Sequence, residues 1–181
     1  MIEDLLEYNK EFVKHKSYEP YQTSKYPDRR MAIVTCMDTR LIELLPAALG
    51  IKNGDAKIIK NAGGVITHPF GSAVRSLLIA IYELGVEEIL VIGHTDCGVQ
   101  HMNPKSLLED MRSRGIQDSA IESLRYCGID FDRWLEGFDD GYVSVAKSVE
   151  LLKKHPLIPK DVRIYGFMMD SQTGELSSVS E

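Results

Sequence analysis

Ile2, Leu5, Leu6, Phe12 and Val13 recur at helical spacing with charges between them, so the chain opens on an amphipathic helix over about 2–16. Residues 17–30 hold two prolines, three tyrosines and many polar groups, a pattern that predicts a loop or arm outside the core. Met31-Ala-Ile-Val-Thr35 is a short apolar run ending in Cys36 and reads as a buried strand. A helix is expected around 41–49, closed by Gly50, with Pro46 forcing a kink or a late start. Residues 57–60 predict a second short strand, and Asn61-Ala62-Gly63-Gly64 a turn or close-packed loop. A long apolar helix follows over about 69–84, with Gly85 as its C-terminal stop. Glu88-Ile-Leu-Val-Ile-Gly93 is the clearest buried strand of the chain, and His94 comes directly after it.

Asn103-Pro104 is a helix start with proline at the first helical position. Residues 105–152 read as mostly helical, broken at Gly115, Gly128 and Gly137. A further strand is expected at 162–167, a turn at Thr173-Gly174, and a last edge strand at 175–179. Strands that alternate with helices predict the α/β class: a mostly parallel central sheet of four to five strands flanked by helices, with an N-terminal helical arm. No repeat, low-complexity tract or linker divides the 181 residues, so one domain is expected.

Composition narrows the field. Hydrophobic residues make up 44% and charged residues 27%, as in an ordinary folded protein. No apolar run approaches the roughly 18 residues that cross a bilayer. The formal net charge of −6 opposes approach to nucleic acid or an anionic membrane, and basic clusters such as Arg29-Arg30 and Lys153-Lys154 are short. Three cysteines do not make a disulfide framework, and the acidic start is unlike a signal peptide; both point to a reducing cytoplasm.

The chemistry gathers at two strand ends. The first strand ends in Cys36-Met37-Asp38-Thr39-Arg40, the third in His94-Thr95-Asp96-Cys97-Gly98. In an open α/β sheet ligands bind beyond the carboxyl ends of the strands, where strand order reverses. If the first and third strands are neighbours there, Cys36, His94 and Cys97 converge. Two thiolates and an imidazole suit zinc, and three ligands leave one tetrahedral position open, as catalytic sites do. The plainer alternative is two small buried cysteines and a strand-end histidine. Asp38 and Arg40, two residues apart, can form a bidentate pair that keeps the carboxylate ionised beside a metal water, or an ion pair that only shapes a turn.

Together, Cys36-x-Asp38-x-Arg40 and His94-x-x-Cys97-Gly98 resemble the β-class carbonic anhydrases. The resemblance extends through Lys60-Asn61-Ala62-Gly63-Gly64 to Gly166-Phe-Met-Met-Asp170 and Thr173-Gly-Glu-Leu176, and the short length is like that of the compact microbial branch. It implies one Zn2+ per chain on Cys36, His94 and Cys97, and a catalytic dyad of Asp38 and Arg40. The implied reaction is reversible hydration of carbon dioxide to bicarbonate by a zinc-bound hydroxide that Asp38 orients. It also implies one domain over 1–181, with a helix and arm at 1–30 and a zinc-binding core at 31–181. The implied assembly is a homodimer or higher homo-oligomer with the N-terminal helix draped over the partner. The plant-type Asn-x-Ala-Asn is absent, which leaves pocket shape and substrate choice open. Rival expectations are a carbonyl sulfide or carbon disulfide hydrolase on the same site, or a non-catalytic zinc-stabilised dimer in which Asp38 takes the fourth position. A nucleotide-binding module is set aside, because Asn61-Ala-Gly-Gly is not G-x-G-x-x-G and no P-loop occurs.

Among other residues, His68 and His101 are candidate proton relays but read better as loop histidines. Cys127 has no partner motif. Phe131, Trp134 and Phe138 are expected to pack or to meet a partner chain. Met168-Met169 is expected in the core, and Asp96 is expected to cap backbone amides of its turn.

Overall fold

The structure, a computed structural model, describes residues 1–180. Its centre is β1 (Met31–Cys36), whose residues from Ala32 onward are all buried. β1 pairs in parallel with β2 (Ala56–Asn61) on one side and β3 (Glu88–His94) on the other. β4 (Arg163–Met169) adds in parallel to β3, and β5 (Leu176–Ser180) closes that edge antiparallel to β4. The order is therefore β2-β1-β3-β4-β5, a five-stranded sheet with one antiparallel edge. The chain leaves β1 toward one edge, then crosses back to build the other side, so the reversal point lies between β1 and β3.

Strand alternation sorts the core into two faces. Ala32, Val34, Ile89, Val91, Ile164 and Met168 pack under α3 (Ser72–Leu84) and α7 (Gly141–Lys154), against Val74, Leu77, Val145 and Leu152. Ile33, Ile92 and Met169 face the other way, against Leu41 and Leu45 of the segment following β1. Both methionines are buried, as expected from the strand.

Some element bounds differ from expectation for local reasons. The helix expected at 41–49 is a 3₁₀ turn at Thr39–Leu41 followed by a short α2 at Leu44–Ala48. Pro46 sits in the first turn of α2, where its missing N–H is one that a helix leaves unpaired anyway. The α3 helix begins at Ser72 and not near 69, because the His68 ring accepts the Phe70 amide and holds those residues in a turn. The stretch after β3 divides into α4 (Pro104–Ser113), α5 (Asp118–Tyr126), α6 (Phe131–Trp134) and α7. The first three share a small core of Leu108, Ile121 and Phe131. Gly137, one of the expected breaks, lets the segment after α6 lie against the loop after Cys97, where Gln100 bridges Phe138.

The N-terminal helix, α1, spans Ile2–Lys14, and none of its residues is buried. No helix among the described residues is long and apolar enough to cross a membrane.

Gly64 carries a constraint on the site. It has a positive φ of 65°, and a Cβ there would lie 2.7 Å from the backbone nitrogen of Cys36. We expect Gly64→Ala to cost about 3 kcal/mol, from left-handed strain plus overpacking, in equilibrium denaturation. A variant as stable as the parent would mean that β1 yields at its end.

Candidate metal centre

Cys36 is the last residue of β1 and His94 the last of β3, which places them side by side at the carboxyl edge of the sheet. The tight turn Thr95-Asp96 then returns Cys97 to the same point; Asp96 takes a positive φ of 54° to make it. The Sγ atoms of Cys36 and Cys97 and a ring nitrogen of His94 all lie within 4.8 Å of one another, and all three residues are buried. The sulfurs are 3.8 Å apart, far beyond the roughly 2.05 Å of a disulfide.

The imidazole is oriented. His94 Nδ1 lies 2.9 Å from the Thr95 carbonyl oxygen, which can only accept, so Nδ1 carries the hydrogen. In the neutral ring the lone pair is then on Nε2, which is buried and has no hydrogen-bond partner. An orphan acceptor of this kind costs stability unless something fills it. The sulfurs have the same need. Burial pushes the Cys36 thiol up, but the adjoining His94 ring and the backbone amides of Asp38 and Gly63 outweigh it and bring it down to about 7. Burial, followed by repulsion from Cys36, pushes the Cys97 thiol up, against an opposing backbone amide at Val99. One thiol is thus poised to ionise and the second resists without a cation. Two sulfurs and an oriented imidazole lone pair fit a soft-to-borderline divalent ion.

Beside this cluster, Asp38 Oδ2 is 3.9 Å from His94 Nε2. Arg40 grips that carboxylate with a two-pronged fork, Nε to Oδ1 at 3.0 Å and Nη2 to Oδ2 at 2.8 Å. The Arg40 backbone amide also donates to Oδ1. The guanidinium is the main reason that Asp38 is held well below the usual carboxylate range. Val99 and Phe138 pack on the apolar cluster that contains both cysteines, so the site has an apolar flank.

The chain matches the family model described as carbonic anhydrase over residues 31–176. It belongs to the β-class carbonic anhydrase family. It is 51% identical over 179 residues to the putative carbonic anhydrase YtiB of Bacillus subtilis, spanning 99% of this chain and 96% of that protein. The crystal structure of β-carbonic anhydrase isoform I from Trichomonas vaginalis superposes with a TM-score of 0.90 at 37% identity, covering 99% of this chain and 97% of that one. A carbon disulfide hydrolase of Acidithiobacillus thiooxidans is 33% identical over 175 residues, 92% of this chain and 85% of that enzyme. The family thus also includes relatives named for a different substrate.

Other candidates named from the sequence fall away from this cluster or take other roles. His68 and His101 are exposed and outside the donor cluster; His101 lies 3.4 Å from Asp139. Cys127 is exposed after α5. Phe131 packs in the small helical core, whereas Trp134 is mostly exposed. Asp96 does not cap its turn: its carboxylate accepts from Arg40 Nη1 at 2.8 Å. That pairing joins residues 56 positions apart, and no local spacing announces it. Lys60 was also missed; its Nζ donates to the Cys36 carbonyl at 3.0 Å. If the cluster takes zinc, we expect Lys60→Met to weaken its binding about tenfold in competition with a colorimetric chelator, because an ammonium beside Cys36 is lost. Unchanged affinity would assign Lys60 to the surface.

Proposed function

We propose that Cys36, His94 and Cys97 hold one Zn2+ per chain and that the protein reversibly hydrates carbon dioxide to bicarbonate. The observation that carries this reading is the buried, unpartnered lone pair of His94 Nε2 opposite two cysteine sulfurs. Zinc, when bound, lowers the pKa of a water from about 15.7 to roughly 7 and so makes a nucleophile available near neutral pH.

The rest of the work falls to the chain. Cys36 and Cys97 supply the negative charge that retains the ion. Among the described residues the donor cluster holds three members, which leaves a position for the reacting water. Asp38 is the nearest carboxylate, and the Arg40 fork engages both its oxygens, which holds it back from serving as a fourth donor. Oδ2 accepts from one Arg40 nitrogen and faces the His94 ring, so it retains a lone pair to accept a hydrogen from that water and orient it. Val99 and Phe138 offer an uncharged substrate an apolar approach.

Stopped-flow hydration of carbon dioxide on protein of assayed zinc content tests the reading, at about pH 7 and about pH 8.5. Zinc near one per chain with a rate that rises with pH supports it. Full zinc without hydration at either pH overturns it. Carbon disulfide is assayed in parallel because of the relatives named for it.

The same reading includes a homodimer or higher homo-oligomer. Ile2, Leu5, Leu6 and Val13 of α1 are all more than half exposed. A 13-residue helix with no buried face is marginal by itself in water, so a second copy is the proposed cover. Removal of residues 1–16 should lower the mass in analytical ultracentrifugation to that of a monomer. An unchanged oligomer would place the interface elsewhere.

A further inference from the structure

The Arg40 guanidinium has five N–H donors, and each has an acceptor. Nε and one hydrogen of Nη2 go to Asp38. The other Nη2 hydrogen goes to the Asp96 peptide oxygen at 2.7 Å. Nη1 donates to Asp96 Oδ2 at 2.8 Å and to Ser171 Oγ at 3.4 Å. Asp96 therefore supplies two of the five acceptors, one from its side chain and one from its backbone. Ser171 is braced in turn: its backbone N–H donates to Thr95 Oγ1 at 3.0 Å, and its hydroxyl lies 3.2 Å from the same oxygen.

On the anhydrase reading above, we propose that Asp96 is a positioning residue: it fixes the plane of the Arg40 guanidinium and so the direction in which Asp38 presents its free lone pair. A planar fork that meets Asp38 along one edge can still swing about that edge. Acceptors of Asp96 on the adjoining Nη1–Nη2 edge, its carboxylate on Nη1 and its peptide oxygen on Nη2, remove the swing. Stability is not what Asp96 contributes. Its side chain is 86% exposed, and ion pairs at such positions add little to folding. Its backbone has a separate duty, because the positive φ at Asp96 brings Cys97 back to His94. Asparagine and glycine both tolerate that conformation, so Asp96→Asn and Asp96→Gly remove the charge, or the whole side chain, without disturbing the turn.

The test is a double-mutant cycle with Arg40→Gln, read as kcat/KM for carbon dioxide hydration on zinc-loaded protein. Asp96→Asn should lower kcat/KM about tenfold, with zinc content and Tm unchanged. Added to Arg40→Gln, it should lower the rate less than twofold further, because the group it acts through is gone. An equal loss on both backgrounds, loss of zinc, or parental activity in Asp96→Asn would each overturn the proposal. A second readout does not depend on turnover. In a crystal structure of zinc-loaded Asp96→Gly, the guanidinium should depart from the two-pronged geometry on Asp38; an intact fork overturns the positioning role. If the parent protein with full zinc fails to hydrate carbon dioxide, the anhydrase reading falls, and the crystal structure still decides what Asp96 does.

Discussion

Cys97→Ser should reduce carbon dioxide hydration by about 10³-fold or more and bring bound zinc below about a tenth of an equivalent per chain. A serine hydroxyl stays protonated at neutral pH and is a poor partner for zinc, whereas the metal site needs an anionic sulfur. Serine otherwise matches cysteine closely in size, so the His94–Cys97 turn keeps its backbone. The expected signature is loss of metal and activity with far-ultraviolet circular dichroism retained. Cys97 is the sharper choice of the two proposed sulfur ligands. Its thiol is the one that burial and the Cys36 charge push up, so a cation that shares the charge favours its ionisation. Zinc binding should therefore release protons, and a pH-stat titration should show less release in Cys97→Ser than in the parent. Retained zinc with retained activity would remove Cys97 from the ligand set and, with it, the proposed centre.

The contrast between Cys97 and Asp96, one position apart, shows what a sequence discloses. The strand Glu88–His94 contains an unbroken apolar run, Ile89–Gly93, and the β1 run ends in a cysteine, so both strand ends could be located from pattern alone. Their adjacency in the sheet then brings Cys36, His94 and Cys97 together. Asp38 and Arg40 are also near in sequence, and their fork spans only two residues. Asp96 is different. It meets Arg40 only after the sheet has formed and the turn has taken a positive φ, and neither leaves a periodic trace. Short helices were harder than strands for a related reason. Pro46 sets where α2 can begin, and one local bond, from the Phe70 N–H to the His68 ring, outweighs helical periodicity ahead of α3. The α1 stripe was plain as a helix, yet none of its residues is buried within the chain.

Asp38→Asn should lower kcat/KM about 10²-fold while zinc stays near one per chain, which separates orientation of water from retention of metal. Asparagine keeps one oxygen but turns an N–H2 toward the Arg40 fork, so donor meets donor and the side chain must swing away. The dependence of this loss on pH is itself a prediction. Arg40 holds the Asp38 carboxyl below its ordinary range, so the charged form is present above that range and is lost only as pH falls through the depressed folded value. Between about pH 6.5 and 9 the carboxylate does not titrate, and the ratio of parent to variant rates should stay constant while both rise with pH through the ionisation of the reacting water. A ratio that narrows toward pH 6.5 would mean that Asp38 gains a proton there. The Arg40 fork would then not be what keeps the carboxylate charged, and the role proposed for Asp96 would lose its basis as well.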